Sequence, residues 1–174
     1  MIDEKKNNVM RKLKIDKITL NVGAGKDTTK LDKGVVLLKD LTGIEPVKTI
    51  TTKRIPAWNL RPGLPIGCKL TLRGKKAEEV LKRVLEGKNG VLKARQFDET
   101  GNLAFGIHEY IDIPSLKYNP EIGIMGFEIC VTFERAGYRV KKRKAKQAAL
   151  GKSHITTKEE AMDFMKEKFG IKIE

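Results

Sequence analysis

The chain has 174 residues, of which 36 are Lys or Arg and 22 are Asp or Glu, so its formal net charge is +14. With 40% hydrophobic residues it can form a globular core, which argues against a wholly disordered protein. No apolar run approaches the roughly 18 residues that a membrane-spanning helix requires, which excludes a transmembrane protein. The N-terminal sequence has no apolar stretch of signal-peptide length, so we expect the protein to stay in the cytoplasm.

The positive charge is concentrated in two segments. Residues 45–76 carry eight basic residues and one acidic residue, and residues 139–152 carry seven basic residues and no acidic one. Acidic and basic residues balance in the rest of the chain. Concentrated charge of this kind is typical of nucleic-acid binding, whereas a merely solubilising surface would scatter it.

Hydrophobic periodicity predicts the secondary structure. The predicted elements are, in chain order, a strand at 15–22, a helix at 28–42, a strand at 47–52, a loop at 53–65, a strand at 66–73, a helix at 75–86, a strand at 127–133, a basic arm at 139–156 and a C-terminal helix at 157–174. The pattern favours an α+β fold, in which helices cover one face of a largely antiparallel sheet and water covers the other. We expect one domain over residues 1–138, then the arm and the C-terminal helix.

The helices and the arm carry further local signals. Leu31, Val35 and Leu38 form the expected apolar stripe of the first helix, with Gly34 as its weak point. Thr157 and Glu160 have the spacing of an N-terminal capping box. The arm has no apolar periodicity, so we expect it to be mobile and to connect folded elements.

Several motifs that suggest other chemistry do not match in detail. The segment from Gly23 to Lys26 resembles a phosphate loop, but Leu20 stands where the Walker pattern needs glycine and Asp27 where it needs Ser or Thr. No His or Cys has a partner at metal-ligand spacing, and no nucleophile accompanies His108. We expect no catalytic site, no metal and no cofactor. We expect His108 to be structural or to face RNA, and His154 to contact phosphate or solvent.

Two features suggest RNA contacts. The polar sides of the first and third strands offer Lys17, Thr19 and Asn21, and Lys69, Thr71 and Arg73, which would form one polar sheet face. The loop at 53–65 holds Trp58 among Lys53, Arg54 and Arg61, and cations beside an aromatic ring suit phosphates and bases. The alternatives are an ordinary solvated sheet face and a tryptophan packed against the sheet.

Four segments of this sequence resemble a known family. They are ITLNVGAGKD (18–27), LTGIEPVKTITTKRIPAWNLRPGLPIGCKLTLRGKK (41–76), FDETGNLAFGIHEYIDIP (97–114) and EIGIMGFEICVTFERAGYRVKKRK (121–144). They are similar, in order and spacing, to the fifth protein of the large ribosomal subunit, the family that binds 5S rRNA. The short N-terminus, the basic arm and the capped C-terminal helix resemble the archaeal type.

The resemblance implies a curved, largely antiparallel sheet in a protein of the central protuberance that attaches 5S rRNA to the large subunit. Family contacts to 5S rRNA fall here on Asn21, on Glu45 with Lys48 and Thr49, and on Thr71 with Arg73. Glu45 stands where the family has glutamine, and a carboxylate cannot donate a hydrogen bond to phosphate.

The resemblance also implies further contacts. The family's long loop points toward peptidyl-site tRNA, and its residues here are Lys53, Arg54, Trp58, Asn59 and Arg61. The other implied partners are neighbouring proteins of the central protuberance and a small-subunit protein that forms an intersubunit bridge.

We therefore predict a non-enzymatic, ribosome-bound structural protein. We assign the arm to large-subunit rRNA, through Arg139, Lys141, Lys142, Arg143, Lys144 and Lys146. The competing hypotheses are a free-standing RNA-binding or RNA-processing factor and a DNA-binding protein, although helix-turn-helix and zinc-finger spacings are missing.

Overall fold

A computed structural model describes residues 8–174, so residues 1–7 of the predicted first domain lie outside the described range. The strands are β1 (Leu13–Gly23), β2 (Val47–Ile50), β3 (Pro65–Leu72), β4 (Val91–Leu92), β5 (Leu103–Ile107), β6 (Phe127–Arg135) and β7 (Lys172–Ile173). The α-helices are α1 (Thr28–Thr42), α2 (Lys75–Glu86), α3 (Arg139–Lys142) and α4 (Lys158–Phe169). Five strands form an antiparallel sheet in the order β2-β3-β1-β6-β5, and β4 pairs with β7 in parallel. The predicted α+β class is confirmed.

The core lies between one face of this sheet and the helices. Alternate residues of β1, β3, β5 and β6 are buried, and they pack with the apolar stripes of α1 and α2. α4 adds Ala161 and Met165 to the same core, and Phe164 meets Phe133 with ring centroids 5.6 Å apart. The opposite face of the sheet stays polar, as its alternation predicts.

Local capping explains the helix ends. The carboxylate of Asp27 accepts hydrogen bonds from the backbone N–H groups of Thr29 and Lys30 at 3.0 and 3.3 Å, and Gly43 ends α1 in the left-handed conformation. The capping box of Thr157 and Glu160 is confirmed at the start of α4. Both α1 and α2 have the bounds that their sequences predict.

Gly34 has a different role from the one we expected. The buried stripe of α1 runs through Leu31, Gly34, Leu37, Leu38 and Leu41, whereas Val35 is only half-buried. A Cβ atom at Gly34 would lie 2.9 Å from a methyl group of Val22 and 3.2 Å from the Cys68 sulfur. Gly34 is therefore the point at which α1 approaches the sheet most closely.

Three strands were not predicted: β5 at the sheet edge and the two-residue strands β4 and β7. Leu103, Phe105 and Ile107 alternate as a half-buried strand does, but Ala104 and Gly106 lie between them in place of polar residues. Small residues weaken the polar half of the alternation, which is why the pattern was not recognised.

Candidate nucleic-acid interface

The polar sides of β1 and β3 form a single surface because the two strands are neighbours. Thr19 pairs with Thr71, and Asn21 pairs with Lys69. Directly opposed residues project from the same face of an antiparallel pair. Lys17 and Arg73 lie next along the two strands, so the six predicted residues are brought together. We call this surface the polar patch; its members are Lys17, Thr19, Asn21, Lys69, Thr71 and Arg73.

Acidic side chains of β6 border the polar patch on one side. Glu128 is the partner of Asn21 in the strand register, and the Asn21 amide donates a 3.1 Å hydrogen bond to its carboxylate. Glu134 lies further along and pairs with Lys14 at 3.1 Å. This border was not predicted, because the sequence alone does not show that β6 lies beside β1.

Cys130 also lies on this open face, between Thr19 of β1 and Ala104 of β5. Free cysteines are among the residues most often buried; Cys68 is buried, but Cys130 is exposed. Its place follows from β6 alternation, which turns Ile129 and Val131 inward and residue 130 outward. Partial burial and the charge of Glu128 raise the pKa of its thiol.

Asp16 holds one end of the polar patch. It is the extra residue of a bulge in β1, where Ile15 pairs with Phe133 but Lys17 pairs with Thr132. Its carboxylate contacts the Arg73 guanidinium and the Lys142 ammonium, the latter at 3.0 Å. Burial alone would raise the pKa of Asp16, but the hydrogen bond and charge of Lys142, together with those of Arg73, hold it below its ordinary value.

Lys48 and Thr49 lie on opposite faces of β2. Thr49 pairs with Gly67 on the patch side, whereas Lys48 pairs with buried Cys68 and faces the helices. The Lys48 ammonium lies 3.1 Å from the carboxylate of Asp32 in α1. Of these two predicted contacts, the structure brings only Thr49 beside the polar patch.

The loop at 53–65 has a defined hairpin-like path. Ile55 and Leu60 exchange two backbone hydrogen bonds, of 3.0 and 3.1 Å, and Leu60 is buried. The segment predicted as a loop therefore has backbone pairing of its own, because the turn at Pro56–Trp58 brings the chain back on itself. Trp58 is 67% exposed, so it does not pack against the sheet.

We call the loop at 53–65 the extension. The residues that flank it close its base, and its cations are exposed. Thr51 is buried, and its N–H and hydroxyl both donate to the Leu64 carbonyl, at 2.9 and 3.0 Å. Four polar side chains are exposed on the extension, and these are Lys53, Arg54, Asn59 and Arg61. The loop thus presents one aromatic ring among three cations, as the sequence suggested.

The basic arm is folded back against the main domain. Lys142 in α3 reaches Asp16 and lies 3.7 Å from Glu134. Within the arm, the Gln147 amide donates to the Lys141 carbonyl at 2.6 Å, and the Arg143 guanidinium donates to the Lys146 carbonyl at 2.7 Å. The remaining arm cations are exposed along this path; they are Arg139, Lys141, Lys144, Lys146 and Lys152.

His154 anchors the far end of the arm. Its imidazole Nε2 lies 2.9 Å from the Ala136 carbonyl, and its ring meets the edge of the Tyr138 ring at 5.8 Å. Buried Arg135 and the Tyr138 hydroxyl both donate to the His154 carbonyl. These groups hold His154 half-buried against the domain, so it is not simply solvated, and its contact with phosphate stays a prediction.

The geometry described here suits binding rather than chemistry. Across residues 8–174, no three His, Cys, Asp or Glu side chains cluster as metal ligands would, and no helix is long and apolar enough to cross a bilayer. His108 is exposed beyond the end of β5. The residues brought together by the fold are hydrogen-bond donors, cations and one exposed indole.

Comparison with known proteins gives consistent matches over nearly the whole chain. A family model described as "Ribosomal protein L5" matches residues 8–61, and a model of the C-terminal part of the same ribosomal family matches residues 65–169. Curated relatives named "Large ribosomal subunit protein uL5" include one from Sulfurisphaera tokodaii, 48% identical over 95% of this chain and 94% of its own. Another, from Sulfolobus acidocaldarius, is 47% identical over 99% of this chain and 97% of its own.

Proposed function

This chain belongs to the ribosomal protein L5 family in its archaeal form, and we propose that it attaches 5S rRNA to the large subunit through the polar patch. Membership makes it a structural component of the large ribosomal subunit, in a family that is not enzymatic. The ribosome is its site of action, and we place it in the cytoplasm with no membrane partner.

The observation that carries the 5S proposal is the pairing of β1 with β3. It places two threonine hydroxyls side by side, with an amide and three cations around them. Hydroxyls and amides donate to phosphate oxygens and ribose hydroxyls, and cations neutralise phosphates. In the described part of the chain, Lys17 and Lys69 have no carboxylate within 4 Å, so both are available to an anionic partner. Thr49 extends this surface at its β2 edge.

We assign the exposed extension at 53–65 to peptidyl-site tRNA, following the family. Trp58 offers a ring to stack on an exposed base or sugar, and Lys53, Arg54 and Arg61 offer charge to the phosphates. We assign the arm cations to large-subunit rRNA outside 5S rRNA. Neighbouring proteins of the central protuberance and a bridging small-subunit protein complete the proposed partners.

The experiment on the polar patch uses a double variant, Lys69→Gln with Thr71→Ala, in the full chain. Both side chains are exposed, so the fold should persist. Losing one charged and one neutral hydrogen bond should weaken 5S rRNA binding by about 2 kcal/mol, which is roughly thirtyfold. Filter-binding titration at fixed salt measures this loss.

Lys33→Gln is the matched control, because it removes the same charge from the exposed side of α1. Its affinity for 5S rRNA should stay within about twofold of the wild type, because salt screens a surface charge that lies far from the bound RNA. Arg73 is left intact, because replacing it would also remove a partner of buried Asp16. Equal affinities for the double variant and the control would show that the polar patch is not the 5S surface.

A further inference from the structure

A second basic surface lies at the edge of the sheet formed by β5. It is a cleft of about 490 Å³, between the end of α2, the segment from Val91 to Gln96 and the end of β5. We call it the β5-edge cleft; its polar lining includes Lys88, Asn89, Lys93, Arg95, Gln96 and His108. Asp112 is the one carboxylate among its lining residues.

The three cations of this cleft form no ion pair with the described residues, although Glu174 lies beside Lys93 and Arg95 and its backbone oxygen accepts a 2.6 Å hydrogen bond from the Ala94 N–H. Among residues 8–174, Lys88, Lys93 and Arg95 have no carboxylate within 4 Å. Lys93 and Arg95 are exposed, and Lys88 is half-buried. Like charges gathered around one cleft repel one another unless an anion lies between them. The arrangement therefore fits an anionic ligand.

The segment at 108–113, which follows β5, packs against the end of α2 and forms one wall of the cleft. Gly87 ends α2 against this segment, where a Cβ atom would lie 3.0 Å from Ile113 and 3.1 Å from the Asp112 carbonyl oxygen. This close approach fixes the segment that carries the lining residues His108 and Asp112. Gly106, which also lines the cleft, leaves open space, since a Cβ atom there would meet only the Phe127 carbonyl, at 3.9 Å.

The cleft is separate from the polar patch. β5 is the edge strand, and β6 lies between it and β1. On the open face of β6, Glu128 lies between Asn21 of the polar patch and Gly106 of the cleft lining, so its carboxylate separates the two basic surfaces. A polyanion bound along β1 and β3 would have to cross this acidic border to reach the cleft, so the two surfaces fit different stretches of nucleic acid.

The composition of the lining favours a phosphate backbone over a protein partner. Protein interfaces rely on exposed aromatic and large apolar anchors, whereas the apolar lining residues Val91 and Ile107 are half-buried and buried. The cleft offers cations and amide groups instead. The side-chain amide oxygen Oε1 of Gln96 already accepts a hydrogen bond from the backbone N–H of Lys93, at 2.8 Å. That hydrogen bond leaves the amide nitrogen of Gln96 free to donate.

We propose that the β5-edge cleft is a second rRNA-binding site, which takes the phosphodiester backbone of large-subunit rRNA rather than 5S rRNA. It rests on membership of the ribosomal family, and the choice of large-subunit rRNA over 5S rRNA rests also on the assignment of the polar patch to 5S rRNA. Lys88, Lys93 and Arg95 neutralise the phosphates, and Asn89, Gln96 and His108 reach sugar or phosphate oxygens.

The test compares two full-length triple variants that lose the same charge. One carries Lys88→Gln, Lys93→Gln and Arg95→Gln; the control carries Lys30→Gln, Lys33→Gln and Lys39→Gln on the exposed side of α1. Each is assembled into large subunits that lack the wild-type protein, and the protein retained on the particles is measured as the KCl concentration rises. A parallel titration uses isolated 5S rRNA.

The cleft variant should leave the particles at lower KCl than the control. The slope of log affinity against log salt should fall by about two to three, since each phosphate contact contributes about 0.7–0.9. Its affinity for isolated 5S rRNA should stay within twofold of the control. A salt profile equal to that of the control would overturn the proposal, and so would an equal loss on isolated 5S rRNA.

A second measurement identifies what occupies the cleft. A photo-cross-linking amino acid in place of Ala94, which lies between Lys93 and Arg95, should label large-subunit rRNA in assembled particles. Labelling of protein alone, or of 5S rRNA alone, would overturn the proposal. Failure of the wild-type protein to bind 5S rRNA would refute the assignment of the polar patch. Retention on the particles at rising KCl and cross-linking from position 94 would still show whether the cleft binds large-subunit rRNA.

Discussion

Asp16 joins three parts of the molecule through one carboxylate. The bulge in β1 places it where Arg73 at the end of β3 and Lys142 in the arm both contact it. Its side chain is only 6% exposed, whereas those of Arg73 and Lys142 are 58% and 55% exposed. The pair of cations therefore offsets the cost of burying the carboxylate while keeping one side toward solvent. A phosphate near the polar patch would compete with Asp16 for Arg73.

We predict that Asp16→Asn lowers the free energy of unfolding at pH 7 by about 1–2 kcal/mol. This is the value of a charged hydrogen bond, reduced because solvent screens its partly exposed partners. The folded-state pKa of Asp16 lies below its ordinary value, so its contribution is present above the unfolded pKa and is lost as pH falls through the folded pKa. The stabilities of the wild type and the variant should therefore begin to converge as the pH falls below about 4 and continue to converge toward the lower folded-state pKa. Urea unfolding between pH 3 and 7 measures the difference, and a constant difference over that range would contradict the prediction.

The extension between β2 and β3 is an element with its own short-range order. The reciprocal bonds of Ile55 and Leu60 and the packing of buried Leu60 hold its stem. Trp58 is left at the turn, fully outside the core. Because Thr51 and Leu64 close the base through two hydrogen bonds, the residues beyond them can be removed without breaking β2 or β3.

We predict that replacing residues 53–62 with a short Gly-Ser turn preserves 5S rRNA binding and incorporation into large subunits. The shortened protein should release peptidyl-site tRNA about tenfold faster, since one stacked aromatic residue is worth about 1–3 kcal/mol. The measurement is tRNA dissociation from reconstituted ribosomes, with Trp58→Ala as a point variant that keeps the stem. An unchanged dissociation rate for both would remove the loop from the tRNA site, and loss of 5S binding would assign it to the other RNA surface.

At the scale of the whole molecule, the fold distributes charge in a way that the linear sequence does not show. The polar patch, the extension, the arm and the β5-edge cleft are four basic surfaces, and Glu128 of β6 lies between the first and the last. The arm borders the polar patch at Asp16, where Lys142 is already paired. Its remaining exposed cations are the ones available to rRNA beyond the patch.

We predict that neutralising four arm residues, Arg139, Lys141, Lys144 and Lys146, as glutamines changes the salt dependence of 5S rRNA binding by less than about one unit of slope. Lys142 and Arg143 stay, because they hold the arm to Asp16 and to the Lys146 carbonyl. The slope for large-subunit rRNA should fall by about two to four. Filter binding over a range of KCl gives both slopes, and a fall of two or more on 5S rRNA would place the arm there.

The sequence by itself determined the parts of this protein that depend on neighbours along the chain. The bounds of α1 and α2 follow from their 3.6-residue periodicity, and the ends at Gly43 and Thr157 follow from local capping. Two-residue alternation identified the polar sides of β1 and β3. The family resemblance also followed from order and spacing along the chain.

Only the tertiary structure decided which of these parts meet. Lys48 turns away from Thr49 because successive strand residues face opposite sides, and Glu128 borders Asn21 because β6 pairs with β1. The β5-edge cleft combines residues from the end of α2, from β4 and from β5, which lie up to about twenty residues apart in a region of balanced charge. Strand order and helix packing depend on long-range contacts, and no periodicity within a single segment records them.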